Sequence, residues 1–348
     1  MVPRPDRPPQ KHGRVPGSPD GAPGHHSDRA AISFASQPGA ALPEVTVLLG
    51  QMNGARFVGA QLASIAAQAG CRIGLIVSDD GSTDGGPGLV RAFAARHPQI
   101  AVTVIAGPGR GFARNFLHLL RAAGPDVPHV ALCDQDDVWL PGRLARALRL
   151  IAAVPPGTPA LYGSRTLVCG ADLLPRGPAP LHGHTPSFRN ALVQSIAGGN
   201  TMVLNRAALD LAQAASLEAG KVVSHDWWLY QIVAGAGGAV IYDPDPGVLY
   251  RQHGQNTVGA NTSIRGGLIR LGAVMAGRFA RWNAVNIDTL SASSHRFTPE
   301  NRAILDGFAA LRRAPLPRRL WLMARLGLYR QTFKGNLGLW LAAVLGRI

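Results

Sequence analysis

Short apolar runs alternate with helical periodicity along the first half of the chain. The apolar run at 45–49 predicts a strand, and the residues after it repeat at the spacing of one helix face: Val58, Leu62, Ile65 and Ala66. The alternation continues with predicted strands at 73–77, 101–105 and 129–133 and predicted helices at 86–96, 112–123 and 141–153. Because such alternation forms right-handed βαβ units, we expect an α/β fold with a mainly parallel sheet between helices.

The pattern divides the chain into three predicted regions. Residues 1–43 hold nine prolines, no apolar period and no apolar run of a secretory signal, which predicts a disordered leader or a misassigned start site. Residues 44–261 carry the strand and helix pattern and form the predicted main domain. Residues 262–348 form a predicted basic, amphipathic helical region at the C-terminus.

Composition and charge narrow the class of protein. Of 348 residues, 46% are hydrophobic and 16% charged, which excludes global disorder. Cys71, Cys133 and Cys169 lie far apart without a CxxC pair, which excludes a disulfide framework and a cysteine zinc cage and predicts reduced thiols. The net charge is +15, and the residues from 262 onward hold fourteen Arg or Lys against three carboxylates. An anionic partner and the arginine bias of a GC-rich genome both explain this excess.

Two acidic segments follow predicted strands directly, at 78–84 and 134–137. Since ligands bind at the carboxyl ends of strands in such sheets, we expect both segments at one edge. For Asp84, a role in a turn or helix cap explains the residue as well as a role in ligand binding does. Three carboxylates within 134–137, however, repel one another unless a cation or a donor-rich ligand neutralises them. Their Asp-x-Asp spacing favours Mg²⁺ or Mn²⁺ shared with substrate phosphates over zinc.

Four segments, in this order, resemble the family 2 glycosyltransferases, which have the GT-A nucleotide-diphospho-sugar transferase fold. They are Val45–Gly54, Ser78–Asp84, Gly111–Phe116 and Asp134–Trp139, within a resemblance that covers about residues 44–260. Asp134–Trp139, with His225–Trp228 and Tyr250–Asn256, is most similar to the rhamnosyltransferase branch. The resemblance implies an inverting hexosyltransferase whose catalytic domain is the region 44–261.

The same resemblance implies a donor site and a metal. The nucleotide-sugar would contact Asn53, Asp79, Asp80, Asn115 and Asp134, and Mg²⁺ or Mn²⁺ would bind Asp134, Asp136 and His253. Asp80 is the expected direct nucleotide contact and Asp136 the expected direct metal ligand. The other interpretation of His253 is a hydrogen-bonded loop histidine.

The acceptor side of the reaction requires a general base, because the attacking hydroxyl must lose its proton. Asp226 matches the acidic residue that these enzymes use, although a carboxylate stabilised by a helix N-terminus is the other interpretation. Trp227 and Trp228 point about 100° apart on a helix, so we expect one in the core and the other against a sugar ring. Gly199 and Asn200 are predicted near the acceptor, or they shape the backbone before the next strand.

The segment 316–348 combines Arg and Lys with many apolar residues. Its longest charge-free apolar stretch, Gly335–Gly346, has 12 residues and cannot span a bilayer core of about 30 Å. Two structures remain open from the sequence. The segment lies on an anionic membrane face, or it packs on the catalytic domain with an arginine-rich face in solvent.

These features predict a metal-dependent glycosyltransferase that moves a sugar to a glycan or lipid-linked acceptor in surface polysaccharide synthesis. The branch implies rhamnose from a dTDP donor, and a UDP-hexose donor is the alternative within the fold. A non-enzymatic basic protein that binds nucleic acid or a membrane surface is the alternative from another class. The glycine-rich segment 107–111 lacks the P-loop lysine and the dinucleotide fingerprint, which excludes kinases and dehydrogenases. We expect a cytoplasmic enzyme, peripheral at the inner membrane face, that binds no nucleic acid.

Overall fold

A computed structural model describes residues 41–254 and 277–348. All but the last three residues of the predicted leader lie outside these ranges, and so does the predicted boundary between 261 and 262. Both stay predictions. Gln255 and Asn256, part of the motif most similar to the rhamnosyltransferase branch, also lie outside the described residues.

Strands and helices alternate through the first part of the fold. The elements are β1 (Glu44–Gln51), α1 (Val58–Ala66), β2 (Arg72–Asp79), α2 (Gly86–Arg96), β3 (Ala101–Ala106), α3 (Phe112–Ala122), β4 (His129–Asp134), β5 (Val138–Trp139) and α4 (Arg143–Ala152). The four strands and four helices that the apolar pattern predicts here are confirmed to within a few residues, and β5 is an additional short strand.

The second part contains the remaining strands of the sheet, the helices between them and the C-terminal helices. Its elements are β6 (Ala160–Cys169), β7 (Pro175–Pro178), α5 (Phe188–Ala191), β8 (Val203–Asn205), α6 (Arg206–Glu218), α7 (His225–Gly235), β9 (Ala239–Arg251), α8 (Arg278–Ala292), α9 (Pro299–Arg313), α10 (Leu316–Leu326) and α11 (Phe333–Val344). Single 3₁₀ turns precede β8 and follow α8.

The strands form one sheet in the order β3-β2-β1-β4-β8-β6-β9-β5, with β7 paired to β6. The first four strands of this order are parallel, as predicted. The second half is mixed, because β8 runs antiparallel to both β4 and β6 while β9 runs parallel to β6. The expectation of a mainly parallel sheet therefore holds for the half that the βαβ pattern covers and not for the rest.

Both faces of the sheet are covered, which explains why its central strands are apolar throughout. Successive residues of β1 point to opposite faces. Val47 and Leu49 enter the layer shared with α1, α2 and α4, whereas Leu48 enters the layer shared with α3, α6 and α7. The α/β class is confirmed, and β1 and β4 lie at the centre of the core.

The C-terminal helices extend the second of these layers. Leu322 and Met323 of α10 and Ala342 and Ala343 of α11 are buried in the same core cluster as Trp228 of α7. One face of the segment 316–348 therefore packs on the rest of the fold, as the second sequence-based alternative holds. Within the described ranges, no helix combines the length and apolarity needed to cross a bilayer.

Candidate active site

The carboxyl ends of β2 and β4 flank the end of β1. Gln51 of β1 pairs with Asp79, and Gly50 pairs with Asp134. Since neighbouring strands lie about 4.8 Å apart, Asp79 and Asp134 start their loops about 10 Å apart on the same edge of the sheet. The expectation that both acidic segments reach one edge is confirmed.

Three carboxylates cluster where β4 ends. Oxygen atoms of Asp134, Asp136 and Asp137 lie within 4.8 Å of one another. Burial raises the pKa of Asp134 well above its ordinary value, and the charges of neighbouring carboxylates raise it further. Burial and Asp136 raise the pKa of Asp137 to about 7, against the lowering effect of its hydrogen bonds. The raised pKa values show that these carboxylates are unstable as anions without a counter-charge, and a divalent cation with oxygen ligands would supply that charge.

The two sides of this cluster differ in their accessibility. Asp137 is 1% exposed, and its carboxylate accepts hydrogen bonds from Asn200 Nδ2 and, at 3.0 Å, from the backbone N–H of Arg251. Asp136 is partly exposed, and its Oδ2 lies 2.8 Å from Nε2 of His253. The structure therefore brings the two predicted metal ligands Asp136 and His253 together, while Asp137 is held as a buried support.

Asp226 lies in the first turn of α7, where its Oδ1 accepts the N–H of Trp227 at 2.7 Å. Its charge contributes to the raised pKa of Asp134, so the two carboxylates lie close enough to interact through space. The helix contact fits the interpretation of a carboxylate at a helix N-terminus. The proximity to Asp134 is a separate feature, which that interpretation does not require.

The loop after β2 is organised by its own acidic residues. Asp80 accepts backbone N–H groups of Gly109 at 2.7 Å and Gly111 at 3.1 Å, so it fixes the glycine-rich segment before α3. Asp79 accepts the hydroxyl of Ser82. Asp84 accepts N–H groups of Ala55 and Gly86, so it has a turn role and joins this loop to the loop after β1, while Gly85 is the N-cap of α2.

Asn53 occupies a left-handed conformation with φ 48°, which asparagine tolerates better than most residues. Its Oδ1 accepts the N–H of Thr83 at 2.8 Å, and its own N–H donates to Ser82 Oγ. The loop after β1 is also tied to the β4 loop, because Gln135 exchanges two hydrogen bonds with the backbone of Met52. Gly54 fits beside Gln135, since a Cβ there would lie 2.0 Å from its Oε1.

Asn115 is placed differently from the other predicted donor contacts. It is 3% exposed, and its amide exchanges hydrogen bonds with the hydroxyl and carbonyl of Ser78 on β2. The structure shows it holding α3 against the end of β2. Direct contact between Asn115 and the donor stays a prediction.

The predicted acceptor residues Gly199 and Asn200 form a buried 3₁₀ turn. Asn200 donates to Asp137, and its carbonyl accepts Nη2 of Arg143 at 3.0 Å. Gly199 lies against the ring of His225, where a Cβ would come 2.1 Å from Nε2. Both residues therefore have packing and hydrogen-bonding roles in the fold, and their contact with an acceptor stays a prediction.

The expectation for the tryptophan pair is wrong. Trp227 is 7% exposed and Trp228 only 2%, so neither indole presents a face to a cleft. Trp227 donates to the carbonyl of Ala191 at 2.6 Å and makes an edge contact with Trp282 of α8. The physical reason is that α5 and the C-terminal helix α8 cover the face of α7 that the sequence leaves open.

Sequence reasoning missed two residues that shape the cluster. Arg251 lies over the ring of Phe57 at 4.9 Å and donates to the carbonyl of Asp136 at 2.7 Å. Phe57 also stacks on His253 with ring centroids 4.6 Å apart. A basic residue two positions before His253 was a usable signal for Arg251. Phe57 gave none, because its role depends on the fold bringing α1 beside the end of β9.

Comparison with known proteins agrees with this geometry. Residues 52–164 match the family model described as glycosyl transferase family 2. The dTDP-rhamnosyl transferase RfbG of Shigella flexneri is 26% identical over 231 residues, which cover 64% of this chain and 77% of RfbG. The uncharacterized glycosyltransferase alr2836 of Nostoc sp. is 32% identical over 108 residues, which cover 31% of this chain and 32% of that relative. The structure of S. aureus TarS 1-349 in complex with UDP-GlcNAc has a TM-score of 0.50 at 12% identity, covering 87% of this chain and 89% of TarS.

The mixed sheet, with an Asp-x-Asp sequence at the end of its central strand β4, has the GT-A fold, and the matching family model makes the protein a transferase of that class. Within that class, the chain is similar to glycosyltransferase family 2 through residues 52–164. The recognition made from the four sequence segments is therefore confirmed, and a non-enzymatic binding protein is set aside.

Proposed function

We propose that this enzyme transfers a sugar, with inversion, from a nucleotide-diphosphate donor to a hydroxyl group of a glycan or lipid-linked acceptor. The observation that carries the proposal is the cluster of the carboxylates of Asp134, Asp136 and Asp137, together with a carboxylate of Asp226 whose charge reaches Asp134. These groups come from distant parts of the chain. Asp226 would be the base, and the other three carboxylates would bind the cation in the same part of the fold.

The chemistry assigns each carboxylate a task. The acceptor oxygen forms a bond to the anomeric carbon, while the bond from that carbon to the diphosphate oxygen breaks on the opposite face. Asp226 takes the proton of the acceptor hydroxyl. Asp136, oriented by its hydrogen bond with His253, and Asp134 would hold Mg²⁺ or Mn²⁺, which stabilises the charge of the departing diphosphate.

The donor we propose is dTDP-rhamnose, and its support is the similarity to RfbG, whose name states a dTDP-rhamnosyl transferase. TarS shares the fold, and its structure contains UDP-GlcNAc, so a UDP-hexose is the second candidate. Asn53, Asp79 and Asp80 lie on the two interlocked loops that would receive the nucleotide in either case.

The test is a panel of donors given to the purified full-length chain with Mg²⁺ or Mn²⁺. The panel contains dTDP-rhamnose, UDP-glucose, UDP-GlcNAc and GDP-mannose, and the readout is the released nucleoside diphosphate. We expect the fastest release from dTDP-rhamnose and none after chelation of the metal. Faster release from a UDP-sugar would correct the donor, and no release from any donor would overturn the proposal.

Asp226→Asn tests the base directly. The amide keeps the size of the side chain but accepts no proton, so we expect donor turnover to fall by roughly 10²-fold or more at unchanged nucleotide affinity. The matched control is Asp306→Asn, which changes an exposed carboxylate on α9. A folded Asp226→Asn enzyme with turnover equal to that of the control would exclude Asp226 as the base.

A further inference from the structure

Helix α11 is apolar on two opposite faces. Leu339, Ala342 and Ala343 are buried against the rest of the molecule. Outward from these residues, six large apolar side chains recur at helical spacing, and we call them the outer stripe: Phe333, Leu337, Trp340, Leu341, Val344 and Leu345. Phe333 is 84% exposed and Leu337 is 64% exposed. Burial of one face on the protein therefore leaves a second apolar face in contact with solvent.

A surface helix of a water-soluble domain normally carries polar residues on its outer face. Single exposed apolar residues are common and need no explanation, but a continuous row of them marks a surface that contacts something else. The outer stripe continues for three turns of α11 and includes an aromatic residue at each of two positions. Its composition indicates a partner with an apolar interior.

The charge of the surrounding segment identifies that partner. Residues 316–348 contain no Asp or Glu and six basic residues, of which Arg319 and Arg330 are partly buried and four are exposed: Arg318, Arg325, Lys334 and Arg347. Lys334 is exposed within α11 itself, and Arg325 lies 5.0 Å from the ring centroid of Trp321, which is 54% exposed. A second copy of this chain would oppose like charges across such a contact. Anionic lipid headgroups above an apolar layer complement both the charge and the stripe.

We propose that α11 lies in the interface of an anionic phospholipid bilayer, with the outer stripe in the acyl boundary and the nearby basic side chains among the headgroups. The helix does not cross the bilayer, in keeping with the lack of a membrane-spanning helix in the described ranges. This inference depends on neither the donor nor the acceptor proposed above, because it rests on α11 and the charges around it.

Helix α11 is connected to helix α7, which carries Asp226, through buried hydrogen bonds. Gln331, just before α11, donates through Nε2 to Asn190 Oδ1 at 3.0 Å. The hydroxyl of Tyr230 on α7 lies 3.0 Å from the same oxygen and 3.0 Å from the carbonyl of Ser187. Because α7 also carries Asp226, binding of α11 to a bilayer fixes the orientation of the catalytic edge relative to the lipid surface.

Co-sedimentation of the full-length protein with vesicles tests this inference without any sugar nucleotide. At low salt we expect binding to vesicles of phosphatidylcholine and phosphatidylglycerol in equal parts, weaker binding as salt is added, and little binding to phosphatidylcholine alone. Leu337→Glu should weaken vesicle binding by about tenfold or more, since it places a charge in the outer stripe. Lys334→Gln should weaken it about fivefold.

Two matched controls place the effect on α11. Leu217→Glu changes a leucine on α6 that is 78% exposed, and Arg91→Gln changes an exposed arginine on α2, so neither should alter binding. No binding at low salt, or equal losses in the variants and their controls, would overturn the inference. A dimer in solution that Leu337→Glu converts to a monomer, without vesicle binding, would overturn it in favour of a second copy as the occupant.

Discussion

His225 is buried in an apolar setting directly beside the proposed base. Its ring stacks on Phe116 with centroids 3.9 Å apart and touches Gly199 on another side. Among the described residues, neither ring nitrogen has a hydrogen-bond partner. Burial lowers the pKa of His225 to about 4, so the ring is neutral in the folded protein at neutral pH.

This burial predicts a pH-dependent stability. The unfolded chain binds a proton on His225 below about pH 6.5, whereas the folded chain does not until about pH 4. The stability from this residue is thus complete above pH 6.5 and is lost as the pH falls toward 4, by an amount on the order of 3 kcal/mol. Urea unfolding of His225→Leu at stepped pH should show a flatter profile than the wild type. His118→Leu, a change at a partly exposed histidine, should keep the wild-type slope, and equal slopes in all three proteins would contradict the assignment.

At the level of single residues, the sequence predicted which carboxylates converge and missed what supports them. Asp134 and Asp136 were accessible to prediction because they directly follow an apolar strand. Asn200 was assigned to the acceptor, yet it binds Asp137 across 63 positions of the chain. The prediction for Trp227 and Trp228 was also wrong because of a distant contact, since the burial of Trp227 depends on a helix that comes later in the sequence.

Between elements, the distance between α7 and the turn before β8 depends on residue 199 being a glycine, which has no side chain. Gly199 lies so close to the edge of the His225 ring that a Cβ would fall 2.1 Å from Nε2, and Phe116 stacks on one face of the same ring. The close approach holds Asp226, the next residue of α7, in its position beside the cluster.

Gly199→Ala should therefore push α7 away from the turn. We expect a loss of about 1–3 kcal/mol in the free energy of unfolding and a fall in donor turnover. Gly59→Ala is the matched control, because the space around that exposed residue of α1 is open. That change should stabilise the protein by about 0.5–1 kcal/mol. Thermal unfolding and turnover of both variants give the comparison, and a Gly199→Ala enzyme as stable as the wild type would contradict the steric argument.

The elements themselves were predictable where local pattern and topology agree. The helix α2 spans the residues that its periodicity predicts, and β1 to β4 pair as parallel βαβ units require. The antiparallel β8 was not predictable, because a strand of three residues carries too little pattern to fix its direction. The apolar residues of α11 were visible in the sequence, but which of them face solvent follows only from its packing.

For the molecule as a whole, the proposed donor site predicts stabilisation by ligands. A nucleotide and a divalent cation that bind only the folded protein raise its unfolding free energy by about 2.7 kcal/mol at a hundred times the dissociation constant. We expect dTDP with Mg²⁺ or Mn²⁺ to raise the melting temperature by several degrees, and chelation to reverse the shift. Asp136→Asn should remove the metal-dependent part, whereas Asp126→Asn, at an exposed loop position, should retain it. A shift that ignores both chelation and Asp136→Asn would argue against a metal at this cluster.

The segment 316–348 has one more property that follows from its composition. Besides having no Asp or Glu, it has no His, so none of its side chains gains or loses a proton between about pH 5 and 9. The proposed attraction of this segment to phospholipid should then not change when the medium is acidified. Ionic strength and the proportion of charged lipid become the variables that regulate how much of the enzyme leaves the aqueous phase.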